Sequence, residues 1–586
     1  MSPLRPTDRV RSGASRRLTA SVWLLAAPLL APHSTAAVHP VHEAPGAVTG
    51  ADVRSLADEE GFVWDRRAVE HLWNRAGFGV AAADVDRWVE AGPEALVEHL
   101  LAPRPLEGQV TAPRFEFREV DVGTEAYREM SRDRQRAFRK ERNRSYRQQF
   151  DAFRRDWLGR MVEGEDPLRD RMTLFWHGVF TSSIDTVKHT GAIVAQHDTL
   201  RAGALGSYDA LLRAMLRDPA MLVYLDNDEN RKGKPNENLA REVMELFSLG
   251  EGNYTEADVT EAARALTGAG ATKASYGRAY RFRPKRHDAG EKEILGNVGP
   301  HGPGDLATIL LEQPQCARYI AGRIIEYLEG VPADDARVEE YATRLRETGY
   351  DVGFLLKRLL LDPDFYRDEV VGARVASPVD YVVGTTRRLG ADVPPEFIAQ
   401  AAASLGQDLF RPPNVKGWDE GLAWINTSTF MMRGNVAGVL LGVVDAESVR
   451  AEAIDLVEEM ADSGEMEGRS GAEMKAMGRE QLRRDEVARL AKLLQRVEYE
   501  NEAYLTHLLV RTRARDDASA VAVLSSALLA IEPPDETLAM LEQRLAQLRD
   551  DFDIEENGLA RSRRKSERVL RQLAHLILSL PEAQLH

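Results

Sequence analysis

The chain has 586 residues, with 77 Lys and Arg against 93 Asp and Glu, a formal net charge of −16. Hydrophobic residues at 43% and charged residues at 29% are the balance of a globular rather than a disordered chain, and the acidic excess lacks the electrostatic footprint of a nucleic-acid binder. The single cysteine, Cys316, excludes an intramolecular disulfide and any cysteine-built metal cluster.

The first segment addresses compartment. Arg5, Arg9, Arg11, Arg16 and Arg17 precede an apolar run, Leu18 to Leu30, and the small residues Ser34-Thr35-Ala36-Ala37 come next. A basic region, a short apolar core and a small-residue site read as a secretory signal peptide over residues 1–37. Ser15-Arg16-Arg17 offers a twin-arginine variant of the same export signal. Residues 38–65 then read as a linker. No later apolar run reaches the ~20 residues a bilayer requires, and Val436–Val444 is far shorter. The expectation is an exported, periplasmic or extracellular protein with no stable membrane span once the signal is removed.

Helical signals dominate the rest of the chain. Ala81–Leu101 and Tyr127–Met161 are charged, glycine-poor stretches with apolar residues at helical spacing. Arg132, Arg134, Arg136, Arg139, Arg142 and Arg144 are interleaved with acids, as on a solvated helix face. Period-two alternation is rare, and Ala271–Arg283 is the best candidate for a short hairpin. Leu216-Arg-Asp-Pro219, Leu311-Glu-Gln-Pro314, Leu360-Leu-Asp-Pro363 and Leu578-Ser-Leu-Pro581 each end an apolar helical stretch with Leu-x-x-Pro. Proline cannot extend a helix and restricts its predecessor, so each marks a helix-to-helix joint. The expected fold class is all-α with few short strands. A helical core spans 66–444, a charged helical insertion or arm 445–555, and a terminal helix 556–586 returns to the core.

The most informative stretch runs from Pro235 to Gly250. Asn236 suits a cap and Gly250 the position after the helix end. At 100° per residue Leu239, Ala240, Val243, Met244, Leu246 and Phe247 share a buried arc. Glu237, Asn238, Arg241, Glu242, Glu245 and Ser248 share the other, where Asn238, Glu242 and Glu245 form a stripe. A carboxylate pair on one face reads as metal ligands or as an acid/base pair, against a solvated face with a Glu237–Arg241 pair. His177 sits in the aromatic run Phe175-Trp176-His177-Gly178, as a ligand or as a satisfied core histidine. His287-Asp288 lies in a loop, where Asp288 either serves the same site or fixes a turn. Thr255-Glu-Ala-Asp258 reads as a capping box. Finally Asn414, Lys416, Trp418, Trp424 and Asn426 share a loop rich in proline and glycine. There the tryptophans read as a platform for sugar rings with polar anchors, or as an aromatic plug. No Gly-x-Ser-x-Gly elbow, His-Glu-x-x-His, Walker loop, haem or iron–sulfur motif is present.

His71-Leu-Trp-Asn-Arg-Ala-Gly-Phe-Gly79, Phe175-Trp-His177, Pro235–Gly250, Tyr254-Thr-Glu, Ala262-Ala-Arg-Ala-Leu-Thr267, His287-Asp288 and Pro412–Trp418 occur in one order. In that order they resemble the bacterial family catalogued as domain of unknown function 1800 (DUF 1800). The terminal Leu-Ser-Leu-Pro-Glu-Ala-Gln resembles that family's usual ending. The resemblance implies an exported, mostly helical protein, often encoded beside a sulfatase-like secreted partner, and it carries no established activity. Relatives often read Trp-His-x-His-Phe, whereas Val179 stands here at the second histidine.

Two functions arise as expectations. The first is a hydrolase or lyase acting on an envelope or extracellular polymer, with His177, Glu242, Glu245, His287 and Asp288 as catalytic candidates. A divalent cation held by oxygen and imidazole is a variant of it. The second is a non-catalytic glycan-binding or assembly protein, with Asn236, Asn238, Asn414, Lys416, Trp418, Trp424 and Asn426 as binding candidates for a polysaccharide.

Overall fold

The computed structural model describes residues 56, 62–102, 118, 120, 124–271, 279–444, 485–494, 505–555, 558–559 and 563–586. The expected signal peptide, most of the linker and the 445–484 and 495–504 parts of the expected insertion lie outside them. No helix among the described residues is long and apolar enough to cross a membrane.

The chain is mainly helical, and proline and glycine punctuate it. Each Leu-x-x-Pro becomes a joint: Tyr208–Met215 to Pro219–Tyr224, Pro303–Glu312 to Pro314–Glu329, Val352–Leu360 to the 3-10 turn Pro363–Tyr366, and Arg563–Leu578 to the 3-10 turn Pro581–Gln584. At the first, the Asp218 carboxylate accepts the Met221 N–H at 2.7 Å and so caps the incoming helix. The expected Ala81–Leu101 helix is two, Val85–Ala91 and Pro93–Leu101. Gly92 adopts φ +88° and Pro93, lacking an N–H, starts the second helix rather than continuing the first. Likewise Tyr127–Met161 divides at Ser131, whose hydroxyl accepts the Arg134 N–H and starts Arg132–Glu163 afresh.

Among the described residues, strands are confined to two antiparallel pairs. Ala269–Ala271 pairs with Tyr280–Phe282, at the ends of the hairpin expected from sequence; its tip, residues 272–278 with Tyr276, lies outside the described residues. The second pair, Lys292–Ile294 with Asn297–Gly299, is an addition to the sequence expectation. Its two-residue turn puts Leu295 at φ +50° and Gly296 at φ +78°, the left-handed geometry of a tight hairpin.

Apolar side chains collect in two clusters. One is built mainly from the Arg66–Gly77, Pro167–Val179 and 200–366 helices. The other gathers Phe150, Phe153, Trp157, the Pro378–Leu389, Pro395–Ser404 and Thr427–Leu440 helices, and the late helices. Leu524, Leu541, Leu545 and Leu548, within the charged stretch 445–555, enter this second cluster. Asp380 is fully buried between Arg171, with which it hydrogen-bonds, and Arg374 at 3.1 Å. Burial opposes its ionisation, but the two guanidiniums hold its carboxyl well below the usual range.

Candidate functional site

The Pro235–Gly250 stretch is helical, yet not uniformly so. Asn236 accepts the Asn238 N–H at 3.0 Å and opens the Asn238–Glu242 α-helix, which passes directly into a π-helical segment, Val243–Ser248. The Leu249 N–H donates five residues back, to Met244 O at 2.8 Å. The widened turn changes which residues face the core. Ser248, expected beside the carboxylates, is fully buried with its hydroxyl donating to Val243 O at 2.6 Å, and Leu246 is only partly buried. Carbonyls displaced by the wide turn find tyrosines: Tyr319 donates to Leu246 O at 3.1 Å, and Tyr208 donates to Phe247 O.

The outer face keeps Glu242 and Glu245 together. Glu245 accepts the Tyr254 hydroxyl at 2.8 Å and lies 3.6 Å from Lys416 Nζ. Partial burial, then the Glu245 charge, raise the Glu242 carboxyl above its ordinary value, against the opposing pull of Lys416 and Arg241. Tyr254 is pushed up to about 12 by burial and by Glu245. Burial and the Glu242 charge also raise Tyr224. The Glu237–Arg241 pair forms at 3.4 Å, with Arg241 also clasping Glu256. Asn238 stays exposed.

Lys416 comes from the Pro412–Trp418 loop, which is pinned to the end of the Pro167–Val179 helix. Thr181 donates to Val415 O at 2.6 Å, and Asn414 accepts the Lys416 N–H at 2.8 Å. Gly417, at φ +88°, approaches Gly178 so closely that a Cβ would stand 2.9 Å from its carbonyl oxygen. The next residue, Trp418, is half-buried with its ring 5.4 Å from that of His177.

His177 is 1% exposed, packed between Trp157, Phe410 and Trp418, and its Nε2 accepts the Phe410 N–H at 3.1 Å. Burial lowers it to about 3, so at neutral pH it is an uncharged acceptor inside the protein. Val179 is buried in the first core cluster, whereas Trp157 and Phe410, which pack on His177, belong to the second. Residues two apart on a helix diverge by about 200°, which accounts for the separation.

His287 and Asp288 form another structure. Asp288 accepts Arg264 Nε at 2.9 Å and the Gly290 N–H at 3.0 Å, which bring its carboxyl down to about 2. Its own N–H donates to the Thr267 hydroxyl. His287 Nδ1 lies 2.9 Å from Thr267 O, and buried Lys292 donates to Asp288 O and Gly290 O. This node anchors the second hairpin. The five catalytic candidates are therefore divided: Glu242 at the end of the α-helix and Glu245 in the π-helical segment after it, His177 beneath Trp418, His287 and Asp288 around Arg264. Among the described residues no group of three His, Cys, Asp or Glu side chains is arranged to hold a metal ion.

A cavity of about 390 Å³ does gather the loop residues. Trp418, Trp424 and Lys416 line it with Phe175, Tyr327, Arg323, Arg374, Gln407 and Glu420. Asn414 and Asn426 do not line it: Asn426 caps the Thr427–Leu440 helix by accepting the Thr429 N–H at 3.0 Å. Arg323, Tyr327 and Arg374 join the site without a place among the sequence candidates. The spacing Tyr319-x-x-x-Arg323-x-x-x-Tyr327 on one helix face is the available signal, and Arg323 does contact the Tyr319 hydroxyl at 3.3 Å.

A family profile described as a protein of unknown function (DUF1800) matches residues 71–585. No curated protein and no solved structure matches the chain.

Proposed function

The chain belongs to the DUF1800 family, whose description names no activity, and from the chain's own geometry we propose that it is an exported protein that binds saccharide chains. One observation carries the reading: Trp418 and Trp424 line the same cavity as Arg323, Arg374 and Lys416. A pyranose offers an apolar face for an aromatic ring and a rim of hydroxyls for charged and amide groups, and such mixed linings serve both. Trp418 is the contact residue, because Trp424 is 9% exposed and supports the wall. The proposal is tested by calorimetric titration with envelope polysaccharide fragments. Trp418→Ala lowers affinity about tenfold, the loss of ~1.4 kcal/mol; a purified protein that binds none of them on a glycan array sinks the reading.

A second reading, cleavage of that polymer by a hydrolase or lyase, rests on Glu242. Its raised carboxyl beside Glu245 and Tyr254 suits a proton donor at a glycosidic oxygen. His177, His287 and Asp288 take no part in it. Glu242→Gln abolishes cleavage and leaves binding intact if this reading holds; cleavage surviving the substitution removes it.

A further inference from the structure

The acidic chain carries a local cluster of positive charge where a turn meets the segment after the first strand pair. The turn Arg231-Lys232-Gly233-Lys234 and the segment Arg281–Arg286 bring together Arg231, Lys232, Lys234, Arg281, Arg283, Lys285 and Arg286. The two are joined, with the Lys232 N–H donating to Arg286 O at 2.7 Å. The turn is closed by Arg231 and Lys234, which exchange backbone hydrogen bonds, and by Gly233 at φ +79°. Beneath it the buried amides of Asn227 and Asn230 tie the turn to the first strand and to the Glu256–Ala265 helix, Asn227 donating to Ala269 O at 3.0 Å and Asn230 donating to Ala263 O at 2.9 Å and accepting the Asn236 N–H at 3.0 Å. The cations are thus carried on a built scaffold.

Between these segments lies a cleft of about 690 Å³ lined by Arg231, Lys234, Arg283 and Arg286 together with Asp228, Glu229, Asn236 and Glu237. Arg231, Lys234 and Arg286 make no ion pair with any described residue, whereas Arg241 and Arg264 on the neighbouring helices pair with Glu237, Glu256, Glu261 and Asp288. Arg231, Lys234, Arg283 and Arg286 outnumber the three carboxylates of the lining, so the basic side of the cleft attracts an incoming anion.

We propose that this cleft binds the acidic groups of an anionic saccharide, the guanidiniums and Lys234 taking carboxylate or sulfate groups and Asn236 with the carboxylates taking hydroxyls. Two features favour a saccharide over nucleic acid. No aromatic ring lines the cleft, so there is no stacking surface for a base. Carboxylates share the lining, which suits charges spaced one to a sugar but not the dense phosphates of a duplex. The site shares no residue with the tryptophan cavity and stands independently of the reading given to that cavity.

The test is calorimetric titration of the whole protein with a polygalacturonate oligomer, a sulfated dextran oligomer, neutral dextran and DNA, at about 0.05 M and about 0.3 M salt. Expected is binding of one or both acidic saccharides, weakened at high salt, with neutral dextran silent. The double variant Arg231→Gln/Lys234→Gln and the single variant Arg286→Gln change exposed or partly exposed side chains and keep the wild-type circular dichroism. The double variant loses about tenfold in affinity at low salt and depends less on salt. Absence of acidic-saccharide binding, wild-type affinity in the double variant, equal binding of neutral dextran, or tighter binding of DNA each overturns the proposal. Which of the two acidic oligomers binds tells carboxylate from sulfate recognition.

Discussion

Gly417 stands against the carbonyl oxygen of Gly178, across 239 positions of sequence, with room for a hydrogen and none for a methyl group. The contact holds the tryptophan loop to the end of the aromatic helix. It predicts an asymmetry between the two glycines. Gly417→Ala imposes a strained left-handed φ and a clash with backbone, and destabilises by about 1–3 kcal/mol. It also displaces Trp418 and, under the proposed function, weakens saccharide binding. Gly178→Ala meets nothing within 4 Å and leaves stability unchanged or raises it by up to ~1 kcal/mol, as alanine does within a helix. Urea denaturation of both variants decides; equal losses would show that the carbonyl contact does not control the loop.

His177 predicts an acid sensitivity. Its folded pKa of about 3 lies below its ordinary 6.5 because burial disfavours the imidazolium. The unfolded chain therefore takes up the proton first. The stability this residue contributes is complete above pH 6.5 and is lost as pH falls from 6.5 toward 3, at ~1.4 kcal/mol per pH unit. His177→Gln keeps an acceptor for the Phe410 N–H but does not titrate. Its stability at pH 7.5 is lower through lost packing, and its decline between pH 6.5 and 4 is shallower by one proton. His197, buried against Trp157 and likewise lowered by burial, continues to contribute, so the slope is reduced rather than abolished. A variant with the wild-type slope refutes the assignment.

How far the sequence discloses the structure depends on the range of each interaction. The Leu-x-x-Pro joints and the Thr255–Asp258 capping box depend on atoms within a few residues, and both are present. The Glu237–Arg241 pair is equally local. The π-turn is not: the hydroxyls that accommodate its displaced carbonyls belong to Tyr208 and Tyr319, 39 and 73 positions away. For the same reason a regular helical period puts Ser248 on the wrong face. Grouping His177, Glu242 and His287 joins residues by chemical type, and only tertiary packing separates a buried acceptor from a π-turn carboxylate and a hairpin anchor. Cavity-lining Arg374 is held by Asp380 and comes from a segment with no distinctive pattern of its own.

Glu242 predicts the opposite pH behaviour to His177. Its folded carboxyl is raised by partial burial and by Glu245, so the folded state holds its proton to higher pH than the unfolded chain. The stability it contributes is complete below its ordinary value near 4.5 and is lost as pH rises through the folded value. Glu242→Gln is accordingly more stable than the wild type at pH 8, and the difference closes by pH 4. Denaturation midpoints at the two pH values measure it. An unchanged difference, or a wild type more stable at pH 8, contradicts the placement of the two carboxylates.

Lys416 connects the carboxylates to the cavity, and its removal predicts the final outcome. It lies 3.6 Å from Glu245, lowers the Glu242 carboxyl, and lines the cavity with Trp418. Lys416→Gln therefore moves the Glu242 titration upward, tracked by carboxyl-carbon NMR with labelled glutamate. Two-thirds of the lysine side chain is exposed, so the shift is modest and shrinks in about 1 M salt, where the screening length is about 3 Å. A saccharide that draws the ammonium into the cavity removes the same positive charge from the carboxylates. Such a ligand raises Glu242 in the wild type and leaves it unmoved in Lys416→Gln. A ligand that binds with no effect on Glu242 in either protein would separate the cavity from the π-turn, and with it saccharide binding from the cleavage reading.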